Sequence, residues 1–259
     1  MLTGKTRGFD LRYFSGYDKG ALAKMKKFTI VWDFDGTILP LEPFDSEQSL
    51  LVHVMNQTPK AFGWLKKGYA RAIIYADQRE RLRRIFKISY IRLLKSTSSA
   101  ALDRVCRNLA EKISTADREV FRELKKNGHD MMVLSCGTAD LSERVLKFAE
   151  LLDCFSLIEG NRFQFDEDRI AGMELRLPDP TDKLQMINQF NLSPDRTVVV
   201  GDGYTDLPLL DWSAMPVLID RSGKKKKYFS ARNFYFITAI PQIVNIIEKL
   251  QVSAHQENR

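Results

Sequence analysis

The sequence predicts an α/β fold: a parallel sheet covered by helices on both faces, interrupted early in the chain by an all-helical insertion. Three observations predict it. Beyond residue 115, short apolar runs alternate with amphipathic helical patterns, the signature of strands joined by helical crossovers. Between about 41 and 115, only helical patterns occur. Three of the apolar runs end on small and acidic residues, and open parallel sheets bind their ligands at the carboxyl ends of strands.

Each element follows from its local pattern. Residues 28–34, FTIVWDF, are β-branched and aromatic and predict a buried strand. SEQSLLVHVMNQ (46–57) predicts a helix with Ser46 as its N-cap. The stretch 69–95 predicts a long amphipathic helix, followed by a second over 96–113. Residues 115–128 predict a helix closed by Gly128. A strand at 130–135, a helix at 139–152, a strand at 155–160 and a hairpin over 161–177 come next. The last elements are a helix at 182–190, strands at 197–202 and 216–220, and a closing helix at 240–250. KKKK at 224–227 reads as a solvated loop.

Composition narrows the class. A chain of 259 residues that is 44% hydrophobic holds one large domain, or one domain with a smaller insert. No apolar run approaches the roughly 18 residues of a membrane span, and the N-terminus lacks the apolar stretch of a signal peptide. A cytoplasmic protein is the expectation. Cys106, Cys136 and Cys154 are odd in number and widely spaced, which suggests neither a disulfide framework nor a zinc site. His53, His129 and His255 show no metal-ligand spacing.

The net charge of +7 is unevenly spread. Residues 1–27 carry seven Lys/Arg and two Asp/Glu, residues 60–112 carry fourteen and four, and the remainder 19 and 27. A basic middle segment is therefore set into an acidic body. Most of its charges read as solvated helix faces, and together they also attract an anionic substrate. Residues 1–26 read as a basic N-terminal extension, with a compact domain opening near Met25.

The acidic residues carry the chemistry. Asp33 and Asp35 lie two apart at the end of an apolar strand, and strand geometry points both to one side. The second and third strands end at Ser135-Cys136-Gly137 and at Gly201-Asp202, with Asp206 just beyond. If these ends converge, four carboxylates share one crevice, and their mutual repulsion calls for a cation. With no His or Cys cluster, a hard ion such as Mg²⁺ fits better than zinc.

These segments resemble the motifs of the haloacid dehalogenase-like (HAD) superfamily. The matching residues are DFDGT at 33–37, Ser135 closing MVLS, Lys183 in PTDKL, and GDGYTD at 201–206. The resemblance implies a Rossmann-like core formed by 27–40 and 116–259, with 41–115 as a helical cap between the first and second motifs. It also implies a role for each motif residue. Asp33 would be the nucleophile that forms an aspartyl-phosphate, and Asp35 the acid and then base. Asp33, the Asp35 backbone carbonyl and Asp202 would hold Mg²⁺. Ser135, with Cys136 and Gly137 beside it, would bind phosphate together with Lys183. Asp206 would orient Lys183 or a metal-bound water, and Thr37 would support the loop leading to the cap.

The helical insert, the GDGYTD form and the hairpin resemble the phosphoserine phosphatase branch. That likeness points to Glu42 as a reader of a substrate amino group, and to a cap arginine, Arg79 or Arg92, as a reader of a carboxylate. The departures are Cys136–Gly137 in place of a Gly pair and Thr205 before the last Asp. They keep other small phosphomonoesters open: phosphocholine or phosphoethanolamine, sugar phosphates, and the ketopentenyl phosphate of methionine salvage. A catalytically inactive phosphate-binding module and a basic interaction protein rank below these, since Asp33, Asp35 and Lys183 are all present. Nucleic acid is not an expected partner, for no module with aromatic platforms is recognised. The sequence is silent on oligomeric state.

Overall fold

A computed structural model describes residues 27–57, 60–77 and 83–256. The N-terminal extension and Arg79 lie outside them. Seven strands form one sheet among the described residues: β1 (Thr29–Trp32), β2 (Asp130–Thr138), β3 (Leu157–Asp166), β4 (Arg169–Glu174), β5 (Thr197–Gly201), β6 (Met215–Ile219) and β7 (Tyr235–Ile237). Their order is β4-β3-β2-β1-β5-β6-β7. All neighbours are parallel except the β3–β4 hairpin. β1 is central, with Trp32 beside Val133 of β2 and Val200 of β5. The strand order reverses at β1, so the crevice of the doubly wound sheet opens there.

Successive strand residues face opposite sides, and β1 divides accordingly. Ile30 and Trp32 join one apolar layer, and Val31 joins the other. The first layer is covered by α5 (Thr115–Lys126), α6 (Ala139–Phe148) and α9 (Ile243–Gln256), the second by α7 (Asp182–Gln189) and α8 (Leu207–Trp212). Trp32 meets the edge of Phe121 at 5.0 Å, which anchors α5 to β1. At the start of α5, Ser114 Oγ accepts from Asp117 N at 3.1 Å. Its end is closed by Gly128 at φ +79°, with His129 N donating to Leu124 O, as its sequence predicts.

Between β1 and α5 the regular elements of the described part are all helices. They are α1 (Ser46–Gln57), α2 (Lys60–Asp77), α3 (Arg83–Leu94) and α4 (Ser99–Ala110). Leu50, Leu51, Phe86, Tyr90 and Leu102 are buried in the same apolar layer as Ile30 and Trp32. The basic charges of this segment are largely solvated: Arg71, Arg92, Lys95, Arg104 and Arg107 are exposed, whereas Lys87 is buried.

Several sequence expectations need correction. The single long helix over 69–95 is two helices folded back on each other. Tyr69 and Ser89 hydrogen-bond at 2.7 Å, although 20 residues of straight helix would hold them about 30 Å apart. Asp45 caps α1 in place of Ser46, accepting from Gln48 N at 2.7 Å. α6 stops at Phe148, because Glu150 takes φ +58°. The strand at 155–160 and the first arm of the hairpin are one strand, β3, parallel to β2 at its start and antiparallel to β4 at its end. KKKK keeps three exposed side chains, at 224, 226 and 227, as expected, but its backbone is anchored by Asp220. β7 and the short α8 were not expected, being too brief to show a period. Among the described residues no helix is long and apolar enough to cross a membrane.

Candidate active site

The carboxyl ends of β1, β2 and β5 bring the predicted residues together. Asp33 extends β1 by one bond, its N–H donating to Val200 O at 2.9 Å. Lys183 sits in the first turn of α7, where an exposed side chain is usual. Here it is 1% exposed and donates to Asp33 Oδ1 at 2.8 Å and Asp206 Oδ1 at 2.6 Å. The second oxygen of Asp206 accepts from the backbone N–H groups of Asp202 (2.9 Å) and Gly203 (3.3 Å). Asp206 thus both folds the β5 loop and aims the ammonium of Lys183 at Asp33.

Asp35 turns away from that trio toward the helical segment. Ser46 holds its carboxylate through two hydrogen bonds, from the backbone N–H and from Oγ, each 2.8 Å. The two acids of DFDGT therefore occupy different surroundings. Burial and the nearby Asp206 push the Asp33 carboxyl up to about 8, against the pull of Lys183. Burial raises Asp35 to about 6, with the Ser46 bonds holding it back. Lys183, although buried, is kept protonated by Asp206 and Asp33.

The β2 end lies alongside. Ser135 is buried, and its Oγ accepts from Gly137 N at 3.0 Å. A Cβ on Gly137 would stand 3.1 Å from both Asp35 Oδ2 and Ser135 Oγ, so glycine allows this loop to approach Asp35. Asn161, at the point where β3 changes partner, donates to the carbonyls of Cys136 (2.9 Å) and Gly137 (3.2 Å). Those carbonyls are turned toward Asn161. Thr37 is buried, and its carbonyl accepts from Arg221 at 2.7 Å.

The donor set suits a hard cation. Asp33, Asp202 and Asp206 each offer an oxygen, all within 4.8 Å of one another. The ammonium of Lys225 already stands on Asp202, touching both its carboxylate and its carbonyl, so a positive charge is accommodated there. At φ +89° Gly36 packs so near that an added Cβ would lie 2.5 Å from the Asp202 carboxylate. Oxygen donors without His or Cys match a hard divalent cation.

Not every predicted residue joins this cluster. Glu42 and Arg92 are exposed and form no hydrogen bond to it. Sequence reasoning did not single out Ser46, Asn161, Arg221 or Lys225. Ser46 was noticed as a helix start, yet its bonds run to Asp35 and not to its own helix. The others lie 126 to 190 residues from Asp35 with no local pattern to mark them.

A sequence model of the haloacid dehalogenase-like hydrolases matches residues 30–211. No curated protein sequence matches the chain. Among solved structures, a protein of unknown function from Bordetella pertussis Tohama I superposes with a TM-score of 0.67 at 14% identity, over 82% of this chain and 98% of its own. A substrate-bound phosphoserine phosphatase gives 0.63 at 14% identity, over 86% of this chain and 98% of its own. Cytosolic 5'-nucleotidase IIIB bound to cytidine gives 0.64 at 17% identity, over 92% of this chain and 89% of its own.

Proposed function

The chain belongs to the haloacid dehalogenase-like hydrolases, and from that premise we propose that it is a Mg²⁺-dependent phosphatase acting on a small phosphomonoester through an aspartyl-phosphate. The observation that carries this reading is the split between the two acids. Asp33 lies against the Lys183 ammonium at 2.8 Å, while Asp35 lies against the Ser46 hydroxyl and N–H. Asp33 must attack as a carboxylate and Asp35 must carry the proton, as two-step ester hydrolysis demands. Without a cation, burial pushes Asp33 to about 8 and Asp35 to about 6, the reverse of that order, so a bound cation would be what ionises Asp33 for attack.

In the first step an oxygen of Asp33 bonds to phosphorus, the ester P–O bond breaks, and Asp35 gives its proton to the departing alkoxide. In the second, Asp35 takes a proton from water as the water attacks the acyl phosphate. Phosphate leaves, and Asp33 returns as a carboxylate. Lys183, held by Asp206, offsets the negative charge gathering on the transferred group. Ser135, whose Oγ accepts from Gly137 N, and the backbone N–H of residue 136 cradle its oxygens. Asp33, the Asp35 carbonyl and Asp202 would hold Mg²⁺, which supplies positive charge against the repulsion between nucleophile and phosphate. Residues 41–115 serve as the cap that bounds the site on the substrate side.

Phosphoserine and its amino-bearing relatives are the first substrates to try, with nucleoside monophosphates beside them, since structures of both kinds of enzyme share this fold. A panel of phosphomonoesters assayed with Mg²⁺ and with chelator tests the reading. Phosphate release should require the metal and should vanish in Asp33→Asn. Release that survives either treatment would refute the mechanism.

A further inference from the structure

Beside Asp35 lies a buried acid that the reaction above does not use. Glu47, the second residue of α1, is 5% exposed. Both its oxygens accept from Lys87 Nζ, at 2.5 and 2.6 Å, and it also accepts from Thr138 Oγ1. Lys87 belongs to α3 and is itself 1% exposed. Thr138 ends β2, directly after the loop of Ser135, Cys136 and Gly137. Ser46, next to Glu47 in the chain, is the residue that holds the Asp35 carboxylate. Glu47 is thus the junction of three parts: the helical segment through Lys87, the phosphate loop through Thr138, and the acid through Ser46.

Stability alone does not account for such a junction. Desolvating an ammonium and a carboxylate cancels most of their attraction, and apolar replacements of similar volume are often neutral or stabilising. What the pair supplies is placement. Two side chains from separate elements fix Glu47, and Glu47 fixes the first turn of α1.

We propose that Glu47 is a positioning residue for Asp35, set in place by Lys87 and Thr138. With Glu47 clamped, the N–H and hydroxyl of Ser46 hold the Asp35 carboxyl where a leaving oxygen can take its proton. Because Lys87 comes from α3, the acid is in position only while that helix is seated on the core. The assignment rests on the phosphatase reading given above.

Leaving groups separate this role from a general loss of structure. An alkoxide needs a proton as it departs, whereas p-nitrophenolate departs without one. Glu47→Gln and Lys87→Met should lower kcat for phosphoethanolamine by about ten- to a hundred-fold, part of the 10²–10⁴-fold that a positioned acid supplies. The burst of p-nitrophenolate release from p-nitrophenyl phosphate, which reports the first step alone, should change by less than about threefold, while steady-state turnover of that substrate falls because Asp35 is also the base of the second step; KM for both should hold. If either single variant fails to fold, the double variant Glu47→Leu/Lys87→Met removes both charges together and should show the same pattern. Asp35→Asn provides the reference for a missing acid. A p-nitrophenolate burst slowed as far as kcat for phosphoethanolamine, or a rise in KM with kcat unchanged, would overturn the positioning role. A wild-type protein that hydrolyses no member of the phosphomonoester panel sinks the phosphatase reading itself, and this role with it.

Discussion

Asp33 makes the energetics of the site measurable. Its carboxyl, pushed up to about 8 by burial and Asp206, keeps its proton in the folded chain after an unfolded carboxylate has lost it. Over that range the folded state binds more protons than the unfolded state, so stability falls as pH rises. Asp35, raised to about 6, contributes to the lower part of the window. His129 works in the opposite sense. Burial lowers its pKa, and Phe28 N donates to its Nδ1, so it costs stability only toward acid pH. Between pH 6.5 and 8, Asp33 dominates these three. Asp33 alone should cost the metal-free protein at most about 2 kcal/mol over that span, at 1.36 kcal/mol per pH unit for one full proton, and buried Asp202, also raised, acts in the same direction. Saturating Mg²⁺ should flatten the slope by stabilising the ionised form. Thermal unfolding followed across pH, with and without Mg²⁺, measures both; a flat metal-free profile would mean that Asp33 is already ionised. The pairing of Asp33 with Asp35 was legible in the sequence, because two acids closing an apolar strand have little structural use. Their opposite surroundings were not, since Lys183, Asp206 and Ser46 arrive from other elements.

At the scale of elements, the turn after β6 shows how a basic run becomes part of a site. Asp220 Oδ1 accepts from Ser222 Oγ (2.9 Å) and Lys224 N (3.1 Å). Its Oδ2 accepts from Lys225 N (2.6 Å) and Lys226 N (2.9 Å). This carboxylate folds the lysine run over the β5 end, which brings Lys225 onto Asp202. Asp220→Ala should cost roughly 1.5–3 kcal/mol, the range for hydrogen bonds to a charged group, and should release Lys225 from Asp202. Ser222→Ala removes one exchangeable donor and should cost under about 1 kcal/mol. Urea unfolding of the two variants ranks them; equal stabilities would show that the carboxylate does not organise the turn. A run of like charges reads as solvated because nothing local opposes that reading. The partner that changes it is four residues upstream at a strand end, and its role appears only once β6 and β7 are paired.

For the whole molecule, the main question is whether the helical segment stands apart from the sheet. The apolar layer runs without a break from Ile30 and Trp32 through Leu50 and Leu51 to Phe86 and Tyr90. Shared burial couples unfolding, so the described chain should melt in one transition whose calorimetric and van't Hoff enthalpies agree. Leu50→Ala should lower the stability of that single transition by about 2–5 kcal/mol. Two separate transitions, with only one shifted by the substitution, would show the helical segment to be an independent unit. Periodicity alone located the segment and its helical character, while the continuity of its core with the sheet depends on which faces meet.

The sequence by itself determined the main order of strands and helices, the burial of β1, and the strand ends on which Asp33, Asp35, Ser135, Asp202 and Asp206 stand. It could do so because each rests on a short-range signal: apolar alternation, a glycine, an acid where apolar residues are expected. Only the tertiary structure decided that the 69–95 run folds back, that Asp45 caps α1, and that Ser46 is free to bind Asp35. It also decided that Glu42 stays at the surface while Glu47, five residues on, is buried against Lys87 and Thr138. Apart from the Asp45 cap, which is local, those outcomes depend on contacts between residues 11 to 91 positions apart. Burial then sets whether a charge is solvated or must find a partner, and no local pattern encodes burial at that range.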